Sequence, residues 1–320
     1  MLNLGLGLSW ARSRSVEGTF VIALLGQSNM VGRAPFDGGS LHPAGTRQLG
    51  RTPPNPGALI PAQHPLEHLD PDAGDMGLDI SFAQAWSAQN PGGELVFAPE
   101  AQGSTGLGSG HWQKGGDGYN SAVGRLNALM TANPDFIFAG FLWHQGEADV
   151  GNAQYAAQLD QMIIDLRTDV AAASPESPFV LGQLSHEWVS GNANRLAIQD
   201  AISDTPARVS HTAVVSGAGL TTLGDGLHFD APSLRSLGSR YASALPLAGA
   251  GTGQSILGPA APSAIGTIPD QTDQAEETTS SGPTPPGLQG IIPDQTDPVP
   301  TLAPPDAQGT IPDQQDEVSA

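Results

Sequence analysis

At 320 residues the chain is long enough for one large core or two modest domains. Its formal net charge of −20, with Lys114 the single lysine, excludes nucleic acid and anionic membrane surfaces as partners, because both are themselves negative. The absence of cysteine removes disulfides and thiolate metal sites, and no apolar run reaches the length of a membrane span.

The chain opens with an apolar stretch, Met1 to Trp10, followed by Arg12 and Arg14. A secretory signal carries its positive charge before the apolar segment, so this order predicts a short N-terminal arm over 1–17 rather than a signal peptide. Residues 18–248 read as one domain of alternating strands and helices. Phe20 to Leu25 is a continuous apolar run, as in a strand buried on both faces, and it stops at Gly26-Gln27-Ser28-Asn29-Met30. Residues 34–78, dense in proline, glycine and histidine, predict a long irregular segment. A helix is expected from Asp79 to Trp86, a strand over Glu94–Ala98, then a glycine-rich loop, Gln102-Gly103-Ser104-Thr105-Gly106. Tyr119 to Thr131 has helical spacing, Phe136–Leu142 is a third strand, and Trp143-His144-Gln145-Gly146-Glu147-Ala148-Asp149 follows it. A helix over roughly 152–173, a strand over 179–184, a helix over 194–203, a strand at 213–215 and a helix over 231–245 complete the domain. About five strands alternating with helices predict a central parallel sheet covered on both sides, with Ser28, the Gly103 loop, the Trp143–Asp149 block and Asp225–His228 gathered along one edge.

Beyond residue 248 the composition changes to proline, glycine, serine, threonine and acids. Ten of the acids and none of the bases lie from 251 onward, so half the net charge sits in a tail expected to be disordered or extended. Within it Gly266-Thr267-Ile268-Pro269-Asp270-Gln271 recurs at Gly290–Gln295 and Gly309–Gln314. The unit reads either as an acidic linker or as three copies of a docking peptide for a protein partner.

Ester hydrolysis by serine needs a hydroxyl, a base, a carboxylate to orient the base, and donors for the oxyanion. Ser28 stands where a strand end delivers ligands in an open α/β sheet, although a serine there is ordinarily only a helix cap. His228 can take its proton, and Asp225, three residues earlier, can turn back to hold the imidazole. His111, Trp112 and His186, with the 34–78 segment, form a candidate sugar-binding rim. His64 and His68 have a metal-pair spacing that Pro65 disfavours, so neither a metal nor another cofactor is expected.

Taken together, Gly26–Met30, Trp143–Asp149 and Asp225-Gly226-Leu227-His228-Phe229 resemble the signature blocks of the SGNH hydrolase superfamily, and most closely its sialate O-acetylesterase and acetylxylan esterase branch. The resemblance covers about residues 18–245 and implies a flavodoxin-like three-layer α/β/α fold and metal-free removal of acetyl groups from carbohydrate. It implies Ser28 as nucleophile and His228 as base, with Asp225 favoured over Glu147 as the orienting acid. The oxyanion donors it implies are the N–H groups of Ser28 and Gly103 and the Gln145 side chain. Gln27, Asn29 and His144 belong near the substrate by the same reading, Gln27 and His144 chiefly as supports. The rival expectation is a non-catalytic carbohydrate-binding or structural component of a larger assembly. A secreted complex or a bacteriophage tail, reached without a Sec signal, would fit that second reading.

Overall fold

The computed structural model describes residues 17–70, 75–251 and 255–256. The expected N-terminal arm, apart from residue 17, and the repeat-bearing tail lie outside these residues. Element order is β1 (Gly18–Gly26), α1 (Ser28–Val31), β2 (Arg47–Leu49), β3 (Leu59–Pro61), α2 (Asp79–Gln89), β4 (Gly93–Pro99), α3 (Asp117–Ala132) and β5 (Ile137–His144). There follow α4 (Tyr155–Asp169), β6 (Phe179–Gly182), α5 (His186–Val189), α6 (Ala193–Ser203), α7 (Thr205–Arg208), β7 (Thr212–Val215), α8 (Ala231–Gly249) and β8 (Ser255–Ile256).

The strands form one sheet in the order β3-β2-β4-β1-β5-β6-β7-β8. Every pairing is parallel except β2 with β3. β1 is central because its side chains are apolar on both faces. Ile22 and Leu24 enter the layer of α2 and α8, while Val21, Ala23 and Leu25 enter the layer of α3, α4 and α6. A strand with no polar face has no stable place at an edge. From β1 the chain builds outward to β2, β3 and β4 on one side, then crosses to β5 on the other. That reversal opens a crevice at the carboxyl end of β1, where open α/β sheets bind ligands.

The expected strands and helices of the body are all present, with shifted ends. The sheet is wider than expected, with eight strands rather than about five. Two of the extra strands lie in the 34–78 segment. β2 and β3 are three residues each, too short for a period of two to show in the sequence. β8 carries the sheet past the expected boundary at residue 248.

The helix α8 is started by Asp230, whose Oδ1 accepts from Ser233 N–H at 2.9 Å, with Pro232 in its first turn. It crosses α2 at Gly238, where a Cβ would lie 2.1 Å from the Leu78 carbonyl oxygen. Gly238→Ala is expected to destabilise the protein by about 1–3 kcal/mol, the usual cost of forcing extra volume into a packed contact. Chemical denaturation checks this; an unchanged midpoint would show that the two helices part freely.

Two imidazoles are buried in neutral form. Burial lowers His68 to about 4 and His144 to about 3. His68 Nδ1 accepts from Ala101 N–H at 3.1 Å. The Tyr241 hydroxyl donates to the Trp143 carbonyl at 2.7 Å, so in its 3.1 Å contact with His144 Nδ1 the ring nitrogen carries the hydrogen. The unfolded chain protonates both rings below the ordinary imidazole value of 6.5 and the native chain does not. Stability is therefore full above 6.5 and declines as pH falls toward the lowered values. The melting temperature should drop over that window, and His144→Gln should make the decline shallower; an identical slope in the variant would show that His144 is not responsible.

Candidate active site

Gly26 ends β1 with φ +128, and a Cβ there would lie 2.1 Å from the His144 carbonyl oxygen. Only glycine lets the ends of β1 and β5 come this close. Gln27 N–H then donates to that carbonyl at 2.9 Å, and the chain turns at once into α1 with Ser28 as its first residue.

On the far side of the crevice, the loop between β7 and α8 supplies His228. Its Nε2 is 3.0 Å from Ser28 Oγ, and its Nδ1 is 2.7 Å from Asp225 Oδ2. Because the carboxylate accepts from Nδ1–H, the Nε2 lone pair is free to accept the serine proton. Asp225 Oδ1 also accepts from Leu227 N–H at 2.8 Å and His228 N–H at 2.9 Å. Burial pushes the Asp225 carboxyl up, but these N–H donors and the His228 ring outweigh it and hold it below the ordinary carboxylate range. It is ionised at neutral pH, as an orienting acid must be. The arrangement can draw the proton from Oγ and hold the resulting imidazolium.

Asn29 joins the turn after β1 to the loop before α8. Its Nδ2 donates to Glu147 Oε1 at 2.8 Å and to the Leu227 carbonyl at 3.2 Å, and its Oδ1 accepts from Phe229 N–H at 3.0 Å. Glu147 therefore contacts Asn29, and Asp225 holds the His228 ring. Burial raises the Glu147 carboxyl, offset only in part by Asn29 and by the nearby His228.

A cleft of about 340 Å³ opens over this group. Ser28, His228, Gln27, Arg33, Ser104 and Trp188 line it, and Glu147, Ala148 and Leu227 complete its wall. Arg33, Ser104 and Trp188 were not expected from the sequence. Ser104 carried one local signal, its place in a glycine-rich loop, and it takes φ 59, a conformation few non-glycine residues adopt.

Several expected contacts need correction. Gln145 is fully buried, and its amide donates to Gln27 Oε1 and the Thr105 carbonyl, both at 3.2 Å, and to Asp149 Oδ2 at 2.6 Å. It supports the loops and does not reach the cleft. Gly103 N–H donates to Asp70 Oδ2 at 2.8 Å, the same oxygen that Arg33 Nη2 meets at 2.5 Å. Trp112 is fully buried, its ring edge-on to Trp143 at 5.3 Å and its Nε1 donating to Thr105 Oγ1 at 2.9 Å. It props the Gly103–Gly106 loop from beneath. His111 packs beside Trp112, where burial lowers its basicity, and His144 lies under the sheet edge. His186 starts α5, is exposed, and does not line the cleft. None of the described residues of the 34–78 segment lines the cleft; Asp70 touches the site through Arg33 and Gly103. Among the described residues no group of three or more His, Asp and Glu side chains is placed to hold a metal.

The sequence missed the support of the Gly103–Gly108 region. Asp149 accepts from Leu107 N–H at 2.9 Å and Gly108 N–H at 2.6 Å, and from Gln145 and Asn152. One buried carboxylate thus fixes the loop after β4 to the turn after β5.

Comparison with known structures bears out the fold. A protein from Arabidopsis thaliana superposes with a TM-score of 0.61 at 21% identity, covering 71% of this chain and 98% of its own. NanS gives 0.60 at 17%, covering 73% and 98%. A carbohydrate acetylesterase from Xanthomonas citri gives 0.54 at 19%, covering 73% of this chain and 57% of its own. The family model described as "Carbohydrate esterase, sialic acid-specific acetylesterase" matches residues 19–246. That span holds every residue of the cleft, and the chain belongs to this carbohydrate esterase family and is a carboxylic ester hydrolase.

Proposed function

We propose that this protein is a serine esterase that removes O-acetyl groups from carbohydrate through Ser28, His228 and Asp225. The observation that carries the reading is the 3.0 Å contact from Ser28 Oγ to His228 Nε2, backed by Asp225 at 2.7 Å. Ser28 Oγ attacks the acetyl carbonyl while His228 Nε2 takes its proton. The tetrahedral oxyanion collapses, the bond to the sugar oxygen breaks, and His228 returns the proton to the departing hydroxyl. Water, deprotonated by His228, then attacks the acetyl-serine; acetate leaves and Ser28 regains its hydrogen. The Ser28 N–H is one oxyanion donor in this reading. Gly103 N–H is bonded to Asp70 and is not counted as a second. The intact relay speaks against a purely structural role.

The substrate type is an O-acetylated sugar, as the family description and a neighbour's name suggest, with sialate, xylan and surface-polysaccharide acetates as the kinds proposed. Acetate release from a panel of acetylated glycans tests this directly. Ser28→Ala should lower turnover by about 10³-fold or more, and an active alanine variant would remove the mechanism. Asp225→Asn should cost about 10³–10⁴-fold, the scale seen when the orienting acid of such a relay is lost. Glu147→Gln keeps the shape that meets Asn29 and should stay within about tenfold of wild type. A reversed order in steady-state kinetics would make Glu147 the orienting acid instead.

A further inference from the structure

We propose that Trp188 is the sugar-binding platform of the cleft and sets the enzyme's preference for carbohydrate acetates over simple ones. The inference rests on the carbohydrate esterase reading above and adds a residue that fixes specificity. Among the described residues Trp188 is the only tryptophan, tyrosine or phenylalanine lining the cleft. It is half-buried, unlike Trp112 and Trp143, which are wholly enclosed. An indole in this state can hide its inner edge in the core and offer apolar area to a sugar ring.

The ring is held before any ligand arrives. The Arg195 guanidinium lies 4.4 Å from its centroid, and Arg195 Nη1 donates to the Trp188 carbonyl at 2.8 Å. A cation over one face fixes the ring's orientation and leaves the rest of the indole as cleft wall. A platform that is already ordered loses little entropy on binding.

Trp188 is also tied to the catalytic loop. The Ser185 hydroxyl, which caps α5, donates to the Gly226 carbonyl at 2.9 Å. Thr222 Oγ1 donates to Glu187 Oε2 at 2.7 Å. The short helix bearing Trp188 is thus bonded at two points to the loop bearing Asp225 and His228. A sugar resting on the indole has its ester set against a fixed imidazole, and this is how binding remote from the reacting bond is turned into orientation.

The test compares two acetate esters in the full-length protein. One is triacetin, which has no ring; the other is the acetylated glycan that wild type hydrolyses fastest in the panel above. Trp188→Ala should lower kcat/KM on the glycan by about 10-fold or more, chiefly through KM, and leave triacetin within about threefold. Trp188→Phe should restore most of the loss. Parallel loss on both esters would overturn the proposal and make Trp188 a prop for the catalytic loop. No loss on either would overturn it by showing that the sugar lies elsewhere. Should wild type cleave triacetin and no glycan, the carbohydrate reading itself falls, and the platform with it.

Discussion

The site depends on Asn29. The turn after the first strand and the loop before the last long helix are about 200 residues apart, and this one amide makes hydrogen bonds to both Leu227 and Phe229. Each of those backbone groups would otherwise face a crevice without a partner, which costs about 1–3 kcal/mol where it is buried. Satisfying both from one side chain fixes the loop's height above the sheet, and with it the reach of the His228 ring to Ser28. The same Nδ2 holds Glu147, so three segments meet at one side chain. Asn29 contributes geometry, and the neighbouring Ser28 contributes the hydroxyl.

Around that point the protein separates rigidity from chemistry. Gln145, Asp149, Thr105, Trp112 and Tyr155 form a buried network below the cleft, in which Tyr155 Oη donates to the Gln145 carbonyl at 2.9 Å. Such a network is stable only when nearly every member finds a partner, and here the glycine-rich loop supplies the backbone donors that complete it. The polar residues of this network are therefore structural. The cleft itself is lined by nine residues drawn from five separate segments of the chain.

What the sequence made legible follows from period and placement. β1, β4, β5 and α8 could be read because each carries a long apolar signature, and Ser28, Asp225 and His228 because a hydroxyl, an acid and an imidazole at strand ends suit one chemistry. β2 and β3 were opaque, since three residues show no alternation and their pairing depends on neighbours distant in the chain. Trp112 and Trp188 show the limit for single residues. Both are tryptophans near loops, and only packing decides that the first stacks edge-on to Trp143 while the second faces the cleft. Gln145 and Gly103 were legible as neighbours of the site, but whether an amide hydrogen is free depends on Asp149 and Asp70, which no local pattern connects to them.

The distance along the chain between hydroxyl and imidazole also has a consequence in time. Ser28 leaves the ribosome with the first strand, whereas His228 follows only after all but the last helix and the edge strand of the sheet have been made. A nascent chain therefore carries an unarmed serine for most of its synthesis. The contact between this hydroxyl and imidazole comes into being only when the late loop docks on Asn29, so by the proposed mechanism hydrolysis waits for the body to be completed.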